Sequence, residues 1–264
     1  MKQRLDIFLT EQKYFDSRAR AQAMIMAGKV LVNEQKVDKA GTLIPSDAQI
    51  RIIGEEMPFV SRGGLKLQKA LDVFGINLVG KMAADVGAST GGFTDCMLQR
   101  SAKMVYAIDV GYGQLAWKLR RDLRVVNKER TNIRNVTRRD FFYGLPEFVS
   151  IDVAFISLEK VLPVVFDVLT DSGEVVALIK PQFEAGREHV GKKGVVRDKK
   201  IHAAVIEQVL NFAASVGFTI RGLDFSPVKG PEGNIEYLAH LSKGGEAAGV
   251  EILSVVDSAH GELD

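Results

Sequence analysis

Seven short apolar segments between residues 82 and 241 alternate with longer segments, and this alternation restricts the fold more than any other feature of the sequence. We predict strands at MAADVG, MVYAIDV, LRVVN, FVSIDVAF, EVVALIKP, FTIRGLDF and NIEYLAHL. Helices are expected after the first, second, fourth and fifth of these strands. Strands and helices that alternate at this spacing form a mostly parallel sheet with helices on both faces. The sequence therefore predicts an α/β fold around a seven-stranded, mostly parallel sheet.

Two helices and several short strands are predicted before this sheet. RLDIFLTEQ places Leu5, Phe8 and Leu9 on one face of a first helix. Ser17 is the expected N-cap of a second helix, which Gly28 ends. Strands follow at KVLVNEQKV and QIRII. These elements predict a small α+β domain.

Composition along the chain places the domain boundaries. EEMPF, at residues 55–59, has the proline and the charges of a connector. From Gly244 to the last residue there are five acids and no Lys or Arg. We expect a small domain at residues 1–58, a large domain at residues 59–245 and an acidic C-terminal tail at residues 246–264.

The overall composition indicates where the protein works. A chain of 264 residues with 46% hydrophobic content can bury one large and one small core. Cys96 is its single cysteine, which excludes an internal disulfide framework and favours a reducing cytoplasm. No signal peptide is found, no apolar run approaches the roughly 18 to 20 residues of a membrane helix, and no metal-ligand spacing is present. We therefore expect a cytoplasmic protein with no membrane partner and no metal.

The segment ADVGASTGGFTD, at residues 84–95, follows the first predicted strand at the end where ligands of such sheets bind. Asp109 ends the second strand, where nucleotide-binding folds place a carboxylate on ribose hydroxyls. The glycine spacing is not GxGxxG, and no lysine of the P-loop type follows it. A cofactor with adenosine but no phosphate fits these features best, and S-adenosylmethionine is the commonest one. The alternative for Asp109 is a turn-capping role at the strand end.

Four charged residues are expected to meet at the same edge of the sheet. Asp152 and Lys180 interrupt otherwise apolar strands, where a charge is strongly destabilising unless it is paired or belongs to a site. Together with Lys66 and Glu236 they supply two lysines and two acids that could satisfy one another. The alternative for each residue is a strand-end charge that reaches water.

These four residues match, in order and in local context, the Lys-Asp-Lys-Glu tetrad of the FtsJ-like ribose 2′-O-methyltransferases. The chain resembles more closely the TlyA family, rRNA 2′-O-methyltransferases that are also described as hemolysins. The motifs that carry this resemblance are SRGGLKL, DVGASTGGFTDC, ERTNIR, DVAFISL, LIKPQFE and GPEGNIEYL. RLDIFLTE, SRARAQAMIMAGKVLVN and KVDKAGTLI resemble an S4-like RNA-binding domain. The likeness covers nearly all of residues 1–243. One departure is MPFV, which stands in place of the Arg-x-Trp-Val known in some members of the family.

The resemblance implies a Rossmann-like class I methyltransferase fold that uses S-adenosylmethionine. The residues expected to bind this cofactor are Asp85, Gly87, Ala88, Ser89, Gly91, Gly92, Phe93, Asp109, Asn132 and Asp152. Lys180 is expected to remove or steer the proton of a ribose hydroxyl and to be held by Asp152 and Glu236. Lys66 would orient the hydroxyl. The implied reaction is in-line methyl transfer to a 2′-hydroxyl of rRNA, with cytidine as the target nucleoside.

Clusters of basic residues favour RNA as the substrate. Residues 114–140 hold 9 Lys and Arg against 3 acids, and residues 180–200 hold 7 against 3. The residues predicted to contact RNA are Arg4, Arg18, Arg20, Lys29, Lys36 and Arg62. Solvated helix faces are the alternative explanation of this charge. The expected partner is rRNA or a ribosomal subunit, and the oligomeric state is left open.

Other activities make different demands on the sequence. An amino-directed methyltransferase would carry an Asn-Pro-Pro-Tyr type loop where this chain has DVAF. A carbon-directed enzyme needs a cysteine nucleophile, but Cys96 is predicted to be a buried packing residue. A membrane-active cytolysin would need a secretion signal or an insertion segment, and a non-catalytic RNA-binding protein would have a damaged tetrad. The last two activities are kept as alternatives.

Overall fold

The computed structural model describes residues 2–53, 57–191 and 193–263. The chain divides into two compact units, Met1–Glu56 and Met57–Asp264. Glu55 and Glu56 of the predicted connector lie outside the described residues, as does Lys192 of the second basic segment. The division falls two residues before the boundary that the sequence predicts.

The first unit contains two helices and five short strands among its described residues. They are β1 (Lys2–Arg4), α1 (Leu5–Glu11), α2 (Arg18–Met26), β2 (Val30–Val32), β3 (Gln35–Lys36), β4 (Leu43–Pro45) and β5 (Ile50–Ile52). The Ser17 side chain accepts a hydrogen bond from the Arg20 amide at 3.3 Å, which confirms the predicted N-cap. Strands β3, β2 and β5 form one sheet, and β1 pairs with β4. The sequence does not predict β1 or β4, because strands this short show no recognisable alternation.

The second unit is built on the predicted seven-stranded sheet. Its strands are β6 (Met82–Val86), β7 (Met104–Ile108), β8 (Val125–Lys128), β9 (Phe148–Ile151), β10 (Glu174–Ile179), β11 (Thr219–Phe225) and β12 (Tyr237–Ser242). They lie in the order β11-β12-β10-β9-β6-β7-β8. Pairing is parallel from β8 to β10, whereas β12 runs antiparallel to both β10 and β11. The carboxyl ends of β6, β7, β9 and β10 therefore share one edge with the amino end of β12.

Helices cover both faces of this sheet, as predicted. They are α3 (Gly63–Phe74), α4 (Gly92–Gln99), α5 (Trp117–Arg120), α6 (Leu162–Val168), α7 (Pro181–Glu184), α8 (Lys199–Val216) and α9 (Ile252–Leu263). Successive strand residues point to opposite faces, so on β6 Ala84 and Val86 belong to one core and Ala83 to the other. The first core is closed by α6, α8 and α9, and the second by α3 and α4.

Most of the segment predicted as an acidic tail forms helix α9. Val256 and Ala259 are 1% and 0% exposed and pack into the first core, and Leu263 lies against it. These residues are three and four positions apart, which places them on one helical face. The prediction of a peripheral tail followed from net charge alone and overlooked this apolar spacing.

Candidate active site

The glycine-rich segment forms the turn between β6 and α4, at the carboxyl edge of the sheet. The amides of Gly87 and Ala88 donate to the Ile108 carbonyl at 2.8 and 3.1 Å, so the turn is tied to β7. Gly87 has φ +89°, and a Cβ there would collide with the carbonyl oxygen of Asp152. Only glycine allows this close approach of the two loops.

Two cavities open at this turn, and both are lined by Gly87, Ser89 and Asp152. The smaller, of about 240 Å³, is also lined by Lys66. The larger, of about 1010 Å³, is also lined by Asp109. The segment that the sequence assigns to a cofactor therefore lies where the two cavities meet.

The donors and acceptors around the larger cavity fit a ligand that carries ribose and a base. Asp109 accepts hydrogen bonds from the amides of Ser89 at 2.7 Å and Gly111 at 2.6 Å, which fix its carboxylate at the cavity. Each carboxylate oxygen has a further lone pair for a hydroxyl. Asn132 also lines this cavity, and its Oδ1 accepts from the amide of Arg134 at 3.1 Å. The residues present therefore fit an adenosine group, although the same cavity is also lined by Arg134, Lys160 and Arg187.

Asp85 supports the glycine turn from inside the protein. Its side chain is fully buried, and its Oδ2 accepts hydrogen bonds from the amide and the hydroxyl of Thr94 at 2.8 and 2.7 Å. These bonds tie the end of β6 to the first turn of α4. Burial raises the pKa of Asp85 to about 7. Phe93, another predicted cofactor residue, is 3% exposed and belongs to the second core.

The predicted tetrad forms two lysine–carboxylate pairs. Lys180 Nζ lies 2.5 Å from Asp152 Oδ1, and Lys66 pairs with Glu236. We predicted that Glu236 holds Lys180, and this prediction is wrong. Glu236 does sit beside Lys180, because Tyr237 of β12 pairs with Ile179 of β10, but the carboxylate turns to the lysine of α3.

Burial distinguishes the two pairs. The two lysine side chains are equally buried, at 9% exposed for Lys66 and 10% exposed for Lys180, but that of Glu236 is 1% exposed and that of Asp152 is 21% exposed. Charges this deeply buried are tolerated when each one has a partner. Lys180 Nζ also lies 5.9 Å from the ring centroid of Phe183, which lines the larger cavity. The Asp152–Lys180 pair is therefore the more accessible of the two.

The sequence does not predict the part that Phe155 plays in this site. Phe155 is 91% exposed, has φ +62° and lines the larger cavity next to Phe183, with ring centroids 5.1 Å apart. A bulky residue rarely adopts a left-handed conformation. Its position in the loop after β9, three residues beyond Asp152, is the signal in the sequence that could have indicated it.

The predicted RNA-binding residues fall in both units. Arg4 and Arg18 converge on Asp6 in the first unit, with Nε–Oδ distances of 3.0 and 2.8 Å. Lys36 lies across Gly28, where a Cβ would collide with its side chain, and Lys29 is exposed beside it. Arg20 is partly exposed on α2. Arg62 belongs to the second unit, where it is the N-cap of α3 and lines the smaller cavity.

The segment MPFV, residues 57–60, is anchored to α4. The Val60 amide donates to Asp95 Oδ2 at 2.9 Å, and Gln99 Nε2 donates to the Pro58 carbonyl at 2.8 Å. Phe59 is 5% exposed and packs in the second core. This segment is therefore part of the second unit.

Residues 59–243 match the FtsJ-like methyltransferase family, and residues 3–50 match the S4 domain. The chain belongs to the FtsJ-like methyltransferase family. The predicted enzyme class and the predicted S4-like domain are both confirmed.

This FtsJ-like methyltransferase is similar to named relatives over most of its length. It is 51% identical to "Putative rRNA methyltransferase YqxC" of Bacillus subtilis, with 99% of this chain and 95% of that protein covered. It is 41% identical to "16S/23S rRNA (cytidine-2′-O)-methyltransferase TlyA" of Mycobacterium tuberculosis, with 90% and 89% covered. The solved structure of a "Putative hemolysin from Streptococcus thermophilus" is 49% identical, has a TM-score of 0.78 and covers 99% and 96% of the two chains. The resemblance to the TlyA family is confirmed.

Membrane spans and metal clusters are both absent from the described residues of this FtsJ-like methyltransferase. None of the helices in that part of the chain is both long enough and apolar enough to cross a membrane. No group of three or more His, Cys, Asp or Glu side chains at residues 2–53, 57–191 and 193–263 could hold a metal ion. Cys96 is fully buried, and burial raises the pKa of its thiol to about 12, so the nucleophilic thiolate is suppressed.

Proposed function

We propose that this chain transfers a methyl group from S-adenosylmethionine to the ribose 2′-hydroxyl of a cytidine in rRNA. The observation that carries the proposal is the pair of lysine–carboxylate contacts, Lys180–Asp152 and Lys66–Glu236, next to the glycine turn. The name of the Mycobacterium tuberculosis relative supports cytidine in 16S and 23S rRNA as the target. Because the substrate is rRNA, we propose that the enzyme acts in the cytoplasm.

The cofactor would be held at the edge shared by the two cavities. The cofactor would contact the backbone of Gly87 and Ser89 closely. Asp109 would accept hydrogen bonds from the ribose hydroxyls of the cofactor, and Asn132 would lie beside its adenine base. When bound, S-adenosylmethionine supplies a methyl group activated by a positively charged sulfur. A cation needs no phosphate cradle, and no lysine of the P-loop type follows the glycine turn.

Lys180 and Lys66 would divide the work at the ribose. The 2′-hydroxyl oxygen gains a methyl group and loses its proton, which Lys180 removes or steers at Nζ. Asp152 fixes this nitrogen through the 2.5 Å contact. Lys66, held by Glu236, supplies a fixed positive charge for the oxygen as negative charge develops on it. Alignment of the hydroxyl by fixed groups supplies much of the acceleration.

Features outside the tetrad support RNA as the acceptor. Arg130 Cζ lies 4.0 Å from the ring centroid of Tyr112, and Lys128 Nζ lies 4.9 Å from that of Phe142. Both rings are exposed, and aromatic rings paired with cations are typical surfaces for unpaired bases. Phe155, at the mouth of the larger cavity, would stack on the target base. We further propose that residues 1–58 bind RNA and residues 59–245 carry the reaction.

The test measures methyl transfer by the full chain to transcribed 16S and 23S rRNA, with nucleoside mass spectrometry as the readout. We expect 2′-O-methylcytidine with the wild type and at least a hundredfold slower transfer with Lys180→Ala, since roughly a hundredfold is the usual minimum contribution of a general base. The matched control is Lys81→Ala, which removes a lysine paired with Glu174 at 2.9 Å just before β6, at the opposite edge of the sheet. Methylated bases, or no ribose methylation in either rRNA, would contradict the proposal.

The hemolysin name of the Streptococcus thermophilus relative favours a second candidate function, lysis of membranes. Purified chain added to dye-loaded liposomes tests it directly. Release of dye by both the wild type and Lys180→Ala would establish lysis as an activity separate from methyl transfer.

A further inference from the structure

A fully buried aspartate joins two arginines in the first unit. Asp6, in the first turn of α1, is 0% exposed. Its carboxylate accepts from Arg4 Nε at 3.0 Å and Nη2 at 3.1 Å, and from Arg18 Nε at 2.8 Å. Gln22 Nε2 adds a fourth side-chain hydrogen bond at 2.7 Å. We call these four residues the Asp6 cluster.

The Asp6 cluster carries an unbalanced positive charge. The hydrogen bond from Arg4, supported by Gln22 and Arg18, holds the pKa of Asp6 well below its usual range, so the carboxylate is ionised. Two guanidinium groups and one carboxylate sum to a net charge of +1. A single arginine would have been sufficient to neutralise the carboxylate. The second positive charge is therefore free to attract an anion.

The outer donors of both guanidinium groups face solvent. The side chains of Arg4 and Arg18 are 45% and 52% exposed, although each Nε is bonded to the buried carboxylate. Within the described residues, Arg4 Nη1 and both Nη atoms of Arg18 make no hydrogen bond to the protein. A phosphate group accepts such forked donors well.

We propose that the Asp6 cluster is a binding site for a backbone phosphate of RNA, in which Asp6 is a positioning residue that holds Arg4 and Arg18 in place beforehand. This site rests on the proposed RNA-binding function of the first unit. It adds a specific ligand, a backbone phosphate, and a specific means of binding it, two arginines that are ordered in advance. A free arginine must be immobilised when it binds, and that ordering weakens binding. Here the buried carboxylate has already ordered both side chains.

Two effects of Asp6 on RNA affinity have opposite signs. Its negative charge repels phosphate, and at about 6 Å in water-like surroundings its removal should strengthen binding by about threefold. Its hydrogen bonds order two arginines, and immobilising two such side chains weakens binding by about fivefold to a hundredfold. Ordering is the larger effect. Asp6→Asn is therefore expected to weaken RNA binding by about 2- to 30-fold, although it makes the unit more positive.

The experiment measures binding of the full chain to transcribed 16S and 23S rRNA by fluorescence anisotropy over a series of salt concentrations. Arg4→Ala with Arg18→Ala should lower the slope of log K against log salt by nearly two units. Adding Asp6→Asn to this double variant should cause no further loss, because no arginine is left to position. The matched control is Glu34→Gln, which removes an exposed carboxylate paired with Arg51 in the same unit and should not weaken binding.

The outcomes separate the phosphate site from the broader function of the first unit. Affinity that is unchanged or tighter in Asp6→Asn overturns the positioning role, since charge alone would then decide binding. If Arg4→Ala with Arg18→Ala binds like the wild type while the wild type binds rRNA, the phosphate site is wrong but RNA binding stands. If the wild type does not bind rRNA, both are wrong.

Circular dichroism would show whether Asp6→Asn unfolds the first unit. If it does, a second variant still tests the proposal. Arg18→Lys keeps the positive charge, but a single ammonium group cannot contact Asp6 and a phosphate with the same geometry. Its affinity should fall close to that of Arg18→Ala. Wild-type affinity in Arg18→Lys would overturn the proposal.

Discussion

Replacement of Glu236 by Gln should destabilise the second unit strongly, because it leaves the Lys66 ammonium buried without its counter-charge. The two side chains are 9% and 1% exposed, so little water reaches the pair in place of the carboxylate. Breaking a buried ion pair at one partner costs about 3–5 kcal/mol. In a domain of about 200 residues each kcal/mol shifts the unfolding midpoint by about 2–4 °C. The expected decrease is about 6–20 °C.

A double-mutant cycle shows whether the pair itself is responsible. The cycle consists of Lys66→Met, Glu236→Leu and their combination, which removes both charges and leaves apolar side chains of similar size. Such replacements are often neutral for stability. The double variant should therefore recover most of the loss caused by Glu236→Gln, although it remains inactive as a methyltransferase. Stability and chemistry are thereby separated at the same two positions.

Trp117 makes the measurement specific to the second unit, since it is the single tryptophan of the chain. Its fluorescence during thermal or urea unfolding reports on that unit alone. The control is Asp257→Asn, which breaks an exposed pair with Lys199 whose side chains are 68% and 52% exposed. That change should leave the unfolding midpoint equal to that of the wild type within experimental error. A midpoint for Glu236→Gln within about 2 °C of the wild type would refute the reasoning, as would a double variant whose loss equals the sum of the two single losses.

Three further predictions concern the cofactor edge and the RNA surface. Asp109→Ala should weaken S-adenosylmethionine binding by at least tenfold in calorimetry, and unchanged affinity would remove Asp109 from the site. Burial raises the pKa of Asp85 to about 7, so between about pH 4 and 7 the folded state holds a proton that the unfolded state releases, and stability falls as pH rises through that window. Urea unfolding should show a loss of about 2–3 kcal/mol between about pH 5 and 8 that is absent in Asp85→Asn; equal pH profiles would contradict this assignment. Tyr112→Ala should weaken rRNA binding about tenfold, since stacking on one base contributes about 1–3 kcal/mol. Tyr143→Ala is the control of similar exposure, at 64% against 66%, and equal effects of the two changes would argue against a stacking role for Tyr112.

The architecture could be predicted because it depends on patterns that are local in the chain. Each of the seven strands of the large sheet is a short apolar segment, and the alternation of its side chains decides which residues face each core. The cap of α2 depends on Ser17 and an amide three residues away. Helix α9 was obscured because five acids outweighed three apolar residues at helical spacing.

The sequence by itself determined the fold class, the family and the identity of the four charged residues at the site, since motif and periodicity are properties of neighbouring residues. Only the tertiary structure decided how those charges pair. Lys66 and Glu236 are 170 residues apart, and their contact depends on how α3 packs beside the antiparallel strand β12. The same holds for Asp6. In the sequence it is one acid among several basic residues, and only the folded structure shows that Arg4 and Arg18 both bond to its buried carboxylate. A sequence shows which residues are charged, but the packing of the chain determines which charges pair. Burial removes the water that would otherwise solvate each charge, so a buried charge needs a specific partner.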